Sequence, residues 1–371
     1  MMRGTELMFE ENDSEQHPTG RKTVFTGVEF VPLQYQDLIN LKATDQVTVP
    51  LSWKNAKVAD SSIPEIAIDG FASGNATLKS HYTSKAIGLV RGGWLPSGLA
   101  LDDDVIVLPD RNIVTELKGH FQSGVKTNES NTDFMDFFAK PGIRINPLLF
   151  AIEGNAVSNP TTALVHQQLG EVKVTLQSVL PLARLEPSYN SGLHGNCGFS
   201  DILIGIVRDT QAKMTKERSF LMELAPKLHS PTSATKKEEC WNQIFVAAKK
   251  HGISRRSLVV VAALSAISIP NGKSPAKRVL KLVKNFTDKC AYNALADLRA
   301  LEIFIGLIAA FPDQPLMLCT KDRNLALFWV GMNISDIELK DGTVGFELSN
   351  VDELLPHMTP SQRNSLFSPD C

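Results

Sequence analysis

The sequence lacks paired cysteines, a long hydrophobic run and an excess of charge of either sign. Its five cysteines are widely spaced and form no Cys-x-x-Cys pair, which argues against a zinc ribbon and fits reduced thiols. No uninterrupted apolar run approaches the ~20 residues that a membrane-spanning helix needs. The 38 lysines and arginines against 40 aspartates and glutamates give a net charge of −2. This balance excludes a globally basic nucleic-acid binder, although not a local basic patch.

The composition is that of an ordinary globular protein, with 43% hydrophobic and 21% charged residues. A length of 371 residues predicts two domains or one elaborated domain. The first 22 residues are acidic and have no apolar core, unlike a secretory signal. We therefore expect a cytoplasmic protein that does not associate with membranes.

Composition and hydrophobic pattern divide the chain into four ranges. Residues 1–20 are polar and acidic and are predicted to be disordered. Residues 21–100 contain short β-type runs punctuated by turn residues, which predict a smaller β-rich N-terminal part. From 101 to 350, apolar strand-like runs alternate with long helical ones, a pattern typical of an α/β fold with a parallel sheet flanked by helices. Residues 351–371 are predicted to form a C-terminal tail.

A short apolar strand followed by an aspartate and a helical pattern occurs twice in the α/β part. Residues 105–108 precede Asp110, and residues 316–319 precede Asp322. Ligands of open α/β sheets bind outside the carboxyl ends of the strands, so the two aspartates are predicted to share a site. The alternative is that each aspartate only caps the helix that follows it.

Two further acids complete the candidate set. Pro147 opens an apolar helical run that reaches Glu153 about two turns later, and Asp297 is placed on the first turns of a long helix. Glu302 lies on the same helix as Asp297, but about 140° around it, so it ranks second to Asp297. As simpler readings, Glu153 could be a solvated helix carboxylate and Asp297 could favour the helix dipole.

In this order, the residues resemble the PIN-like metal-dependent nucleases. The resemblance covers roughly residues 101–165 and 290–335. Its motifs are Asp-x-Asn after the first strand, Pro before an apolar helix ending in Glu, Asp early in a helix, and Thr-x-Asp after a strand. In this chain they are Asp110 with Asn112, Pro147 with Glu153, Asp297, and Thr320 with Asp322.

The resemblance implies a PIN-like sheet and a catalytic carboxylate cluster that holds Mg²⁺ or Mn²⁺. The implied ligands are Asp110, Glu153, Asp297 and Asp322, supported by Asn112, Thr320 and Asn324. It also implies metal-dependent endonuclease activity, on RNA ahead of DNA. Independently, clustered carboxylates supply the hard oxygen ligands that Mg²⁺ prefers, and their mutual repulsion is relieved by a cation.

The chain departs from the family pattern by the 144 positions that separate Glu153 from Asp297. This interval predicts a large helical insertion at about 165–290. Its residues 211–290 carry 16 lysines and arginines against 5 acids, so we expect a surface that neutralises backbone phosphates. Segment 273–286 is predicted to be a helix with basic and apolar positions. The candidate nucleic-acid contacts are Arg255, Arg256, Lys277, Arg278 and Lys281.

Several alternatives stay open at this point. The basic clusters could be ordinary solvated helix faces, and the protein could be a non-catalytic PIN-like module that binds RNA or a protein. A haloacid-dehalogenase-type phosphatase is disfavoured, because that chemistry needs Asp-x-Asp where Asn112 stands. His194 and Cys197 could ligate a metal, although a glycine-rich loop is the simpler interpretation. The N-terminal part could bind a protein partner or a second copy of the chain.

Overall fold

The computed structural model describes residues 7–12, 18–41, 46–81, 85–101, 104–128, 133–153, 160–186, 199–270, 273–340, 343–349 and 351–367. His194 and Cys197 lie outside these residues. Among the described helices, none combines the length and the apolar character needed to cross a membrane.

The described strands and helices follow one another along the whole chain. The strands are β1 Leu7–Asn12, β2 Pro18–Thr26, β3 Glu29–Phe30, β4 Gln46–Ser61, β5 Phe71–His81, β6 Ile87–Val90, β7 Gly93–Pro96, β8 Ile106–Pro109, β9 Phe121–Gln122, β10 Val125–Lys126, β11 Arg144–Ile145, β12 Arg184–Leu185, β13 Leu316–Thr320, β14 Ile334–Lys340 and β15 Thr343–Leu348. The α-helices are α1 Tyr35–Asn40, α2 Arg111–His120, α3 Leu148–Glu153, α4 Thr162–Val179, α5 Phe199–His229, α6 Lys237–His251, α7 Leu258–Ser268, α8 Pro275–Val279, α9 Asp288–Ala310, α10 Arg323–Met332 and α11 Pro360–Phe367.

An antiparallel sheet forms the N-terminal part, in the order β1-β2-β4-β3 with β5 paired to β4. Along the first half of β4, Val47, Val49 and Leu51 alternate with more exposed residues and enter the main core. The second half of β4 contributes Trp53 to a small separate core, where Phe9 of β1 stacks on it with ring centroids 5.0 Å apart. The expectation of disorder over residues 1–20 is therefore wrong for 7–12 and 18–20, which lie in strands.

The central sheet runs β12-β11-β8-β13-β6-β7. Its first four strands are parallel, while β6 pairs antiparallel with β13 and forms a hairpin with β7. The predicted α/β class is confirmed, but the sheet is mixed because the hairpin of β6 and β7 extends its edge. Residues 87–96 thus belong to the α/β part, although they precede the predicted boundary at 101.

The helical insertion is smaller than predicted, because β12 completes the edge of the central sheet and α4 is the helix that leads to it. Among the described residues, α5 to α8 remain as the insertion. Every residue of α7 is buried, as expected for its apolar sequence. The helix predicted over 273–286 is wrong beyond Val279, where α8 ends.

The two predicted units of strand, aspartate and helix are confirmed. Parallel strands β8 and β13 are neighbours, and each is followed at once by its helix, α2 or α10. From β8 the chain moves outward to β11 and β12 and later returns on the other side of β8 as β13. The carboxyl ends of β8 and β13 therefore flank the point where strand order reverses, the usual place for a ligand in such sheets.

Gly98 provides a test of the packing that joins the hairpin of β6 and β7 to the body. A Cβ atom at Gly98 would lie 2.7 Å from the carbonyl oxygen of Phe134 and still closer to the Phe137 ring. Gly98→Ala should therefore lower the free energy of unfolding by about 1–3 kcal/mol, because a backbone atom must shift. Urea denaturation measures the change.

Gly119→Ala is the matched control for this substitution. Gly119 lies in α2 with no atom within 4 Å of a built Cβ, so alanine should stabilise the protein by about 0.5–1 kcal/mol. Equal stability changes for the two alanine variants would contradict the tight packing at Gly98.

Candidate functional site

Asp110 is fixed at the junction of β8, β13 and α2. Its Oδ1 accepts a hydrogen bond of 2.8 Å from the Ile113 backbone and so caps α2. Its Oδ2 accepts a hydrogen bond of 2.6 Å from the Thr320 hydroxyl, and its backbone N–H donates to the Cys319 carbonyl at 2.9 Å. The aspartate is thus a helix cap and, at the same time, a carboxylate tied to the end of the neighbouring strand.

Asp322 occupies the equivalent position after β13. Its Oδ1 accepts hydrogen bonds from the backbone N–H groups of Asn324 at 2.8 Å and Leu325 at 3.0 Å. The Asp322 backbone N–H donates to the Thr320 hydroxyl oxygen at 3.0 Å. Thr320 is fully buried, so its hydroxyl is a fixed bridge between the two strand ends. Both aspartates cap helices, as the simpler interpretation predicts, but capping does not exclude a second role.

Glu153 and Asp297 reach the same edge from α3 and α9. α3 begins directly after Pro147, as predicted, whereas α9 begins at Asp288, which puts Asp297 in its third turn rather than its first turns. Asp110, Glu153 and Asp297 line one cavity of about 40 Å³. Together with Asp322, these four carboxylates are called the acidic edge below.

Burial and mutual repulsion disfavour the charged form of three of these carboxyls. Burial, then Asp297 and Asp110, raise the pKa of Glu153 to about 7. Burial also raises the pKa of Asp297 to about 6, with further repulsion from Asp322 and Asp110. The pKa of Asp110 is raised by burial, against the hydrogen bonds that it accepts. Asp110 therefore interacts electrostatically with each of the other three carboxylates.

The carboxylates are not drawn tightly together in this conformation. Within the described residues, no three histidine, cysteine, aspartate or glutamate side chains are grouped so that they could hold one metal ion. The chemistry of the donors still suits a hard divalent cation, since carboxylate oxygens are its preferred protein ligands. The assignment of the four residues as metal ligands stays a prediction.

A lysine forms an ion pair with one of the four acids. The ammonium Nζ of Lys281 lies 2.7 Å from Asp297 Oδ2 and donates to the Asn293 carbonyl at 3.0 Å. Lys281 was predicted to lie on a helix that binds nucleic acid, but it follows α8 with φ of +51° and contacts the acidic edge instead. This contact lowers the pKa of Asp297 against the effect of burial.

Most of the other predicted nucleic-acid contacts are also engaged within the protein. Lys277 Nζ donates to the His229 carbonyl at 2.6 Å. Arg255 donates to the Ser365 carbonyl at 3.2 Å and Arg256 to the Phe367 carbonyl at 2.5 Å, so this pair binds the carboxyl end of α11. Arg278 is exposed. The five residues do not form one open basic strip.

The remaining predicted residues take varied positions. Asn112 is exposed and lines the cavity, whereas the contribution of Asn324 is its backbone N–H to Asp322. Glu302 forms an ion pair with Lys213 of α5, so the preference for Asp297 over Glu302 on that helix agrees with the geometry. Trp94 is fully buried in β7.

Sequence reasoning missed the wall of the cavity. Met214 of α5, Tyr292 and Arg299 line it beside the acids, and the Tyr292 hydroxyl donates to the Glu153 carbonyl at 3.1 Å. Arg299 is buried and donates to the Thr210 hydroxyl at 2.8 Å. Tyr292 and Arg299 lie on α9 with Asp297, whereas the long-range packing of α5 on α9 brings Met214 to the site, and no spacing in the sequence indicates that packing.

The raised pKa of Glu153 predicts how stability changes with pH in the metal-free protein. An ordinary glutamate has a pKa of 4.5, and the folded state raises it to about 7, so folding favours the protonated form. Stability from this group is complete below about pH 4.5 and is lost as the pH rises through about 7. Glu153→Gln should remove this loss and gain up to about 3 kcal/mol at pH 8 relative to wild type.

Urea denaturation at pH 5 and pH 8 in EDTA measures this effect. Glu347→Gln is the control, because Glu347 is an exposed residue of β15. If the free energy of unfolding changes between pH 5 and pH 8 by the same amount in Glu153→Gln as in wild type, the surroundings do not disfavour the charged form of Glu153.

Comparisons of the chain with protein-family models, with curated proteins and with solved structures found no match. The resemblance to PIN-like nucleases therefore stays an expectation from the sequence motifs.

Proposed function

We propose that the protein is a metal-dependent endonuclease that cleaves RNA at the acidic edge. In this proposal Asp110, Glu153, Asp297 and Asp322 are the ligands of Mg²⁺ or Mn²⁺. The observation that carries it is the placement of three half-buried, mutually repelling carboxylates, Asp110, Glu153 and Asp297, around one cavity at the reversal point of the central sheet. Their repulsion costs stability unless a cation offsets it, and clusters of perturbed groups are typical of functional sites.

The dimensions of the cavity favour an ion and water over an organic substrate held inside. Its volume is about 40 Å³, above the ~10–15 Å³ that a water molecule needs and far below the ~300–1,000 Å³ of pockets that bury small ligands. A nucleic acid would therefore present only its phosphate oxygens at the mouth. Cleavage of a phosphodiester requires no more than that, because metal, water and phosphate are the reacting groups.

Thr320 and Glu153 would have distinct tasks at the acidic edge. Thr320 holds Asp110 and the start of α10 in register, so the two strand-end carboxylates are placed before any ligand arrives. Glu153, with a pKa of about 7, can hold or release a proton near neutral pH. A bound divalent cation would supply a water of lowered pKa and stabilise negative charge on the phosphate.

The second candidate function is a non-catalytic PIN-like module that binds RNA or a protein. The ion pair between Lys281 and Asp297 favours it, because one carboxylate is already neutralised by the chain itself. The spacing of the acids in this conformation favours it as well. We favour catalysis, because the raised pKa values of Asp110, Glu153 and Asp297 are typical of a functional site.

Asp110→Asn separates ligand binding from helix capping. Asparagine caps a helix about as well as aspartate, so α2 should persist and the thermal melt should change little. The loss of one ligand charge weakens a site whose affinity depends on charge, and the cleavage rate should fall at least about 100-fold. The measurement is cleavage of labelled RNA and DNA with Mg²⁺, Mn²⁺ or EDTA, beside a thermal melt of each variant.

Asp313→Asn serves as the control, because Asp313 is exposed and precedes β13 at the opposite end of that strand. Its rate should match wild type. Full activity in Asp110→Asn would refute the ligand role of Asp110, and an inactive wild type with every metal and substrate would favour the non-catalytic module.

A further inference from the structure

The position of Lys281 is set by the end of α8. Its φ of +51° is left-handed, and its backbone N–H donates to the Arg278 carbonyl at 3.0 Å. Helices commonly place glycine at such a terminal position, since glycine has no Cβ to crowd the backbone. A lysine in this left-handed conformation is less favourable than glycine, so we ask what contacts its side chain makes.

The neighbours of Lys281 direct its side chain toward α9. Leu280 and Leu282 on either side are buried at 0% and 8% exposure, so the backbone between them is held against the core. The ammonium group then reaches two residues one turn apart on α9, the carbonyl of Asn293 and the carboxylate of Asp297. These contacts fix a positive charge within the acidic edge.

The ion pair is accessible enough to be exchanged. The side chain of Lys281 is 40% exposed and that of Asp297 is 22% exposed, so the ammonium can return to water without unfolding the core. Lys281 therefore holds one of the four carboxylates in an ion pair that solvent can reach.

We propose that Lys281 is an intramolecular counter-ion of the acidic edge, and that it must leave Asp297 before that carboxylate can take a divalent cation. This inference rests on the proposed function, because the competing ion is the metal of that site. Lys281 offsets the charge of one of the four carboxylates, Asp297. Its release would set the metal concentration at which the site fills.

The direct test is calorimetric titration of the full chain with Mn²⁺, for wild type and Lys281→Met. Methionine keeps most of the side-chain length and removes the charge. The variant should bind Mn²⁺ at least about fivefold more tightly, since no ammonium competes for Asp297. Lys284→Met is the matched control, an exposed lysine three residues away in the same segment, and its affinity should equal that of wild type.

A thermal melt gives a second readout that needs no activity. In EDTA, Lys281→Met should melt below wild type, and the loss should shrink when Asp297→Asn is also present, because the two residues form one pair. Mn²⁺ should raise the melting temperature of Lys281→Met more than that of wild type. If the methionine variant does not fold, Lys281→Gly replaces it, since glycine suits the left-handed backbone.

Equal or weaker Mn²⁺ binding by the charge-removed variant would overturn the inference, as would the absence of Mn²⁺ binding by both proteins. The RNA cleavage assay separates this result from the fate of the proposed function. If Lys281→Met binds Mn²⁺ more tightly but wild type does not cleave RNA, Lys281 is a counter-ion and the protein is not a nuclease. If wild type cleaves RNA but Lys281→Met binds Mn²⁺ with the affinity of wild type, the protein is a nuclease and Lys281 is not a counter-ion of the metal site.

Discussion

The hydrogen bonds of the Thr320 hydroxyl join the ends of two parallel strands, and the acidic edge depends on this junction. The hydroxyl donates to Asp110 and accepts from the backbone of Asp322, so one buried atom fixes the start of both following helices. Because the strands are neighbours at the reversal point of the sheet, the two aspartates cannot move apart without breaking the sheet. The fold thus holds like charges together.

Holding like charges together has a cost that the rest of the site offsets. Burial and repulsion raise the pKa of Asp110, Glu153 and Asp297, and each charge added to the edge makes the next less favourable. Lys281 offsets part of this cost through its ion pair with Asp297. The repulsion between these carboxylates lowers the stability of the metal-free protein, and a bound cation would relieve it. The residues that the proposed function needs are therefore ones that reduce stability.

The sequence was informative where structure is local. The apolar runs before Asp110 and Asp322 and the helices after them predict both units, because a short buried strand and a helix cap leave clear patterns. Glu153 at the end of α3 follows from Pro147 in the same way. The mixed sheet was missed because the hairpin of β6 and β7 resembles the preceding β-rich part in composition.

The positions of side chains that depend on packing between distant segments could not be predicted from the sequence. Lys281 looks like one more basic position on a helix face, and its inward turn follows from the end of α8 and the packing of the flanking leucines. The internal contacts of Arg255, Arg256 and Lys277 likewise depend on where α11 and the end of α5 lie. A positive charge balance in a segment therefore does not establish a nucleic-acid surface.

Anomalous diffraction from crystals of the full chain grown with Mn²⁺ tests the central claim most directly. We expect a manganese peak within ligand distance of Asp110 and Asp297, with the Lys281 ammonium displaced from Asp297. A structure without manganese at the acidic edge, with Lys281 still paired to Asp297 at high Mn²⁺ concentration, would contradict it.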